Sequence, residues 1–172
     1  MTNDELLIDT FDRVRQGARR VLEGLPDKAL AWRPDAEANP VGWLVWHLAR
    51  VQDAQVADVA GTEQVWTSAG WADRLGLPYE AADTGYGHTA EEVGRFPGRG
   101  ADLLDGYLEA THDATVAFLR RITDAQLDEV VDRRWDPPVT LGVRLVSILA
   151  DDLQHLGQAA YVRGLAERAG AA

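Results

Sequence analysis

Asn39-Pro40-Val41-Gly42-Trp43-Leu44-Val45-Trp46-His47-Leu48-Ala49-Arg50-Val51 is the stretch whose reading decides the fold class. Asn39 can cap a helix, and Pro40 suits the first helical position, where its missing N–H has no partner to lose. Val41, Leu44, Val45, Leu48 and Val51 then recur at spacings of three and four, which predicts an amphipathic helix from about Pro40 that fades near Gly61. The same periodicity appears upstream. Leu7, Phe11, Val14, Ala18, Val21, Leu22 and Leu25 predict a helix over roughly residues 3 to 24, closed by Gly24 and Pro26. Downstream, Leu104, Tyr107, Leu108, Thr111, Thr115, Phe118 and Ile122 predict a third from about Ala101 to Arg121. Thr140 can cap a fourth that carries Leu141, Leu145, Ile148, Leu149, Leu153 and Leu156 to about Arg168.

The segments between these helices are short or irregular. A connector runs from Asp27 to Ala38. Gly61 to Gly100 is rich in Gly and Pro and carries Trp66, Trp71, Tyr79, Tyr86 and Phe96; it reads as a long excursion with short helical pieces, among them a capping box at Thr89-Ala90-Glu91-Glu92. A short helix follows Thr123-Asp124 to about Val130, Val131 to Trp135 can be extended, and Asp136-Pro137-Pro138 forbids helix. The expectation is all-α: a single domain over residues 1–172, built as a four-helix bundle with a long loop excursion between its second and third helices.

With 172 residues, 46% of them hydrophobic and 26% charged, the chain can bury one core and has the balance of a globular protein. Its 28 acids against 17 bases give a net charge of −11, which repels phosphate backbones and anionic headgroups, so neither nucleic acid nor membrane is an expected partner. Cysteine is absent, which excludes a disulfide scaffold, a thiolate metal site and a cysteine nucleophile. The first residues, Met1-Thr2-Asn3-Asp4-Glu5, are acidic where a secretory signal is basic, and no apolar run approaches the ~20 residues that span a bilayer; a cytoplasmic location is expected.

Chemistry is sought among polar residues whose helical phase points inward. His47 lies three after Leu44 and four before Val51. Asp151 lies three after Ile148, and His155 four after Asp151. Two imidazoles and a carboxylate form a set of three ligands that suits a catalytic zinc or a non-haem iron and leaves positions open; Asp152, three before His155, is a rival carboxylate. The plain alternative is hydrogen-bonded core histidines. His88, in a Gly-rich stretch, is expected to be solvated, with reach to the bundle mouth as an acid or base the alternative, and His112 to be a core histidine at a stripe's edge and not a ligand. Trp32 and Trp43 are expected in the core, while Trp46, Trp66 and Trp71 can wall a pocket. Gly94 to Gly100 matches no phosphate-binding glycine motif, and Ser68 and Ser147 lack the glycines of a nucleophile elbow.

Asn39 to Val51, together with Asp151-Asp152-Leu153-Gln154-His155-Leu156-Gly157-Gln158-Ala159-Ala160-Tyr161-Val162-Arg163-Gly164, resembles the two signature segments of the DinB-like superfamily. With Leu30-Ala31-Trp32-Arg33-Pro34, the chain is similar more narrowly to the actinobacterial mycothiol-dependent branch, that of maleylpyruvate isomerases and mycothiol S-transferases. The resemblance implies a four-helix bundle with a divalent metal, zinc foremost with nickel or iron as alternatives, held by His47, Asp151 and His155. Many members have a histidine at the position of Asp151, and the thiol-dependent isomerases a carboxylate, usually glutamate.

The function expected on that basis is metal-dependent S-transfer to, or isomerisation of, a small electrophile, with a low-molecular-weight thiol such as mycothiol as cosubstrate. Gln158 is then placed to orient a ligand or the cosubstrate, and Arg144 or Arg163 to supply positive charge for an acidic substrate. A hydrolase using metal-activated water and a metal-binding bundle without catalysis are the alternatives. A homodimer is expected from family habit and bundle geometry.

Overall fold

The computed structural model describes residues 1–172. Eight helices and one small hairpin make up the chain: α1 Asn3–Leu22, α2 Asp27–Leu30, α3 Val41–Ala60, α4 Val65–Ser68, α5 Trp71–Leu75, α6 Ala90–Val93, α7 Ala101–Leu119, a 3-10 turn Asp124–Asp128, β1 Val130–Asp132, β2 Val139–Thr140, and α8 Leu141–Arg168. The four long helices close a ring in which α3 packs on α7 and α8, and α1 packs on the same two. The all-α expectation holds. The predicted extended stretch pairs as the antiparallel hairpin β1–β2, with Val130 opposite Thr140. No helix is long and apolar enough to cross a membrane.

Capping explains where the long helices start. Thr2 and Glu5 form a capping box at α1, and Thr140 accepts from the Val143 amide at α8. At α3 the expected Asn39 cap is not formed: Pro40 itself is the cap residue, in an extended conformation with no side-chain bond. A proline with φ fixed near its helical value ends the preceding connector without help from Asn39.

α3 is buried almost all round from Val41 to Asp53, and not along one stripe as its periodicity suggests. The reason is the excursion, which covers the side of α3 that the bundle leaves open: Trp66 and Trp71 pack on Tyr107 of α7, and Trp46 of α3 meets Trp66 and Tyr79. A helix covered on all sides needs apolar residues on all sides. Trp43 and Trp46 meet that need, and polar residues on it must find partners inside.

α8 is the reverse case. Its inward side carries Leu141, Leu145, Ile148, Leu149, Asp152, Ala159 and Val162. Its exposed positions from Val143 to Tyr161 are Val143, Val146, Ser147, Ala150, Leu153, Gln154, Gly157, Gln158, Ala160 and Tyr161, none of them charged.

Candidate metal centre

α3 and α8 present His47, Asp151 and His155 to one another. One ligand atom from each lies within 4.8 Å of the others, against the roughly 3.4 Å that bonds of about 2.1 Å impose on neighbouring ligands in a tetrahedral shell. His155 Nε2 is already 3.5 Å from Asp151 Oδ1, and the two imidazole rings meet edge to face at 4.6 Å.

Each imidazole is held by an acceptor on its other nitrogen. His47 Nδ1 donates to the Thr84 carbonyl at 2.5 Å, and His155 Nδ1 donates to Gln158 Oε1 at 3.1 Å. These bonds fix which ring nitrogen carries the proton and turn both Nε2 atoms inward, free at His47 and facing Asp151 at His155, the arrangement metal-ligating histidines require once the Nε2 proton of His155 gives way to a cation. The Trp43 indole stacks on His47 at 4.7 Å and 12°. Burial pushes the His47 imidazole below its ordinary range, against the opposing effect of the Thr84 bond, so it sits neutral. The hydrogen bond with Asp151 holds His155 above its ordinary value. Burial would raise Asp151, but the bond with His155 and the charge of His155 outweigh it and keep the carboxylate ionised.

The donor set fits a divalent cation. Asp151 Oδ2 is buried with no hydrogen-bond partner, an acceptor left open in a cluster of two imidazoles and a carboxylate. Asp151 does not lie at the centre of the inward side, where its phase put it. Its side chain is 35% exposed, at the edge of α8 toward α3, and Asp152 takes the centre instead. Asp152 is fully buried and neither oxygen has a partner; burial, then the neighbouring Asp151, raises its carboxyl well above the ordinary range, so it stays neutral.

The remaining polar candidates separate. Gln158 is at the cluster, on His155. Arg144 is not brought to it: its guanidinium is on Asp132 at 2.9 Å. Nor is Arg163, whose Nη1 donates to the carbonyls of Arg20, Val21 and Glu23 and so caps the end of α1. His88 is not solvated; its side chain is 8% exposed, packed among Trp43, Trp46 and Tyr79, with Trp43 Nε1 donating to its Nδ1 at 3.3 Å. His112 is a core histidine as expected, 3.1 Å from Asp12 on α1.

A hollow of about 270 Å³ adjoins His155 through Gln158 and is lined also by Asn39, Leu44, Tyr161 and Val162. A larger one, about 630 Å³, lies away from the histidines, between α1 and the start of α7.

Gly85 closes the site from the excursion. Its φ is +90°, a region that side chains avoid, and an added Cβ would sit 2.8 Å from His47 Nδ1 and 2.9 Å from the Trp43 ring. Gly85→Ala is expected to introduce about 1–3 kcal/mol of strain, relieved by lifting the segment off His47. By calorimetric titration the expected result is a cation affinity at least about tenfold weaker, the range that loss of an outer-shell partner costs.

A model of the DinB superfamily matches residues 10–159. The chain belongs to the DinB superfamily. A crystal structure of a conserved protein from Enterococcus faecalis has 34% sequence identity with it, over 95% of this chain and 96% of that one, with a TM-score of 0.87. The DinB fold thus extends beyond the matched segment to almost the whole chain. A search of curated proteins gives no match.

Proposed function

We propose that this DinB protein holds a divalent cation, zinc foremost, on His47, Asp151 and His155. On that reading it transfers the sulfur of a small thiol of the mycothiol type to a small electrophile, or isomerises the electrophile through reversible thiol addition. The observation that carries the reading is the convergence of three donors, each histidine oriented by its own acceptor. A bound cation supplies a Lewis-acid position that lowers the pKa of a thiol presented to it.

The chain's own residues do the rest. With a cation in place of the His155 Nε2 proton, both imidazoles would bind as neutral donors and Asp151 as a carboxylate, so one negative charge from the protein would leave the centre net positive and receptive to an anionic sulfur. Trp43 and Gly85 close the side toward the excursion and exclude water there. Asp151 and Gln158 border the side open to solvent, where the hollow beyond Gln158 offers about 270 Å³ next to the donors. With no cysteine in the chain, the sulfur comes from a cosubstrate. In transfer by addition the sulfur bonds to the electrophilic carbon and the thiol proton ends on the carbon skeleton; in transfer by substitution the C–S bond forms as the leaving group departs with its bonding pair and the thiol proton goes to solvent; in isomerisation the added thiol is then eliminated with return of its proton. The resemblance to the mycothiol-dependent branch supports this choice among DinB reactions.

Incubation of zinc-loaded protein with a mycothiol-type thiol and a generic electrophile tests it. The expected result is conjugate or isomer formation that requires both zinc and thiol. Turnover without thiol supports a hydrolase instead, and no turnover under either condition supports a binding protein.

A second copy of the chain is the proposed partner for α8. Across a surface with net charge −11, two copies repel wherever charges face each other, and the uncharged side of α8 is where they can approach. Leu153→Glu, at the middle of that side, is expected to weaken self-association at least tenfold in sedimentation equilibrium with helix content unchanged. A wild-type chain that stays monomeric at high concentration rejects the pairing.

A further inference from the structure

We propose that the excursion is a working part of the metal centre: Arg50 is a positioning residue that holds the backbone of residues 83–85 so that the Thr84 carbonyl orients His47, and cation binding is coupled to docking of this segment. The proposal rests on the cation site described above.

Trp43, His47 and Arg50 lie four and three residues apart on α3 and therefore share one side of it. All three bond to the segment Asp83 to His88, which has no helix or strand of its own. Arg50 Nε donates to the Asp83 carbonyl at 3.0 Å, His47 Nδ1 to the Thr84 carbonyl, and Trp43 Nε1 to His88 Nδ1. The segment is thus pinned at each end, and its middle supplies the acceptor that sets the His47 tautomer. Within it, the His88 amide closes a turn onto the Gly85 carbonyl.

Arg50 is fully buried, and a buried cation costs several kcal/mol unless its partners are well placed. Its Nη1 donates to Gln64 Oε1 at 3.0 Å and to the Tyr107 hydroxyl at 3.3 Å, lies 3.6 Å from Asp53, and the guanidinium is 5.1 Å from the Trp66 ring. Those contacts fix the guanidinium from the side of α7 and α4 and aim Nε at the excursion. An apolar side chain could fill the same space, but it could not hold a carbonyl. The bond between His47 and Thr84 exists only while the segment is docked. A cation that selects the resulting His47 orientation therefore favours the docked state, and docking favours the cation by the same factor.

Arg50→Lys tests the coupling. Lysine keeps the charge, but its single ammonium cannot pair with Asp53 and reach the Asp83 carbonyl together. Cobalt(II) affinity, followed by its absorption spectrum, is expected to fall roughly 10- to 100-fold while circular dichroism still reports a folded bundle. Trp43→Phe keeps a ring over His47 and removes only the bond to His88; it is expected to weaken cobalt by a smaller factor. In the wild type, cobalt loading is expected to slow hydrogen exchange at the Asp83 and His88 amides. In Arg50→Lys that slowing is expected to be lost, whereas a merely structural Arg50 would leave it as in the wild type.

A folded Arg50→Lys with wild-type affinity overturns the proposal. If that variant does not fold, unchanged affinity in Trp43→Phe together with unchanged exchange on loading overturns it. A wild-type chain that takes up no cobalt overturns the site itself, which separates that failure from failure of the coupling alone.

Discussion

His47→Ala and His155→Ala are each expected to reduce zinc or cobalt affinity by well over a hundredfold, more than the 10- to 100-fold that loss of an outer-shell partner costs, because each removes a proposed donor outright. The carboxylates divide the same way. Asp151→Asn, which removes an ionised oxygen within the cluster, is expected to lose most of the affinity, and Asp152→Asn, a substitution of a neutral buried acid outside it, to keep it within a fewfold. Equilibrium titration with a competing chelator measures all four. The histidine variants should stay folded: neither residue belongs to the apolar core cluster, and removing His47 frees the Thr84 carbonyl at the edge of the excursion. Weakened binding in a protein with an unchanged far-ultraviolet spectrum would locate the defect at the donors. Equal affinity in wild type and the double variant His47→Ala, His155→Ala would remove the site.

Asp53→Ala is expected to destabilise the fold by about 3–5 kcal/mol, the cost of breaking a buried ion pair by removing one partner. The carboxylate accepts from the Val65 amide at 2.9 Å, the Trp66 amide at 2.8 Å and the Tyr107 hydroxyl at 2.8 Å, and stands beside the buried Arg50 guanidinium. Alanine leaves a fully buried cation without its counter-charge, and two amides at the start of α4 without an acceptor. For a chain of this length the melting temperature is expected to fall by roughly 10 °C or more in a thermal scan. Asp53→Asn keeps one acceptor and the volume but loses the charge, and should fall between wild type and alanine. A shift under 2 °C for alanine would mean that Arg50 is not held as described.

Periodicity located the four long helices because spacing at three and four reports which side meets the core. It could not report what covers α3. The excursion does so by aromatic contacts far apart in sequence, such as Trp46 with Tyr79, and these turned an expected stripe into a helix buried on all sides and put His88 inside an aromatic cluster. His47, Asp151 and His155 were legible as a set since two lie one turn apart and the third sits on an inward phase. The division of labour between Asp151 and Asp152 was not, because a rotation of α8 by a fraction of a turn decides it. Arg50 lies within the DinB signature segment, where no local pattern marks it as a site residue. Its signal is of a different kind: a charged residue on an apolar helix, one turn after His47 and three before Asp53, must have buried partners. The arginines expected near the cluster, Arg144 and Arg163, are taken up by Asp132 and by the carbonyl end of α1, assignments that depend on tertiary neighbours no local pattern encodes.

The most direct measurement is X-ray absorption on the zinc-loaded protein at one equivalent per chain. The account predicts a shell of two imidazole nitrogens and at least one oxygen near 2.0–2.2 Å, with the imidazole signal halved in His155→Ala. A shell of oxygen atoms alone, or one unchanged by that substitution, would contradict it.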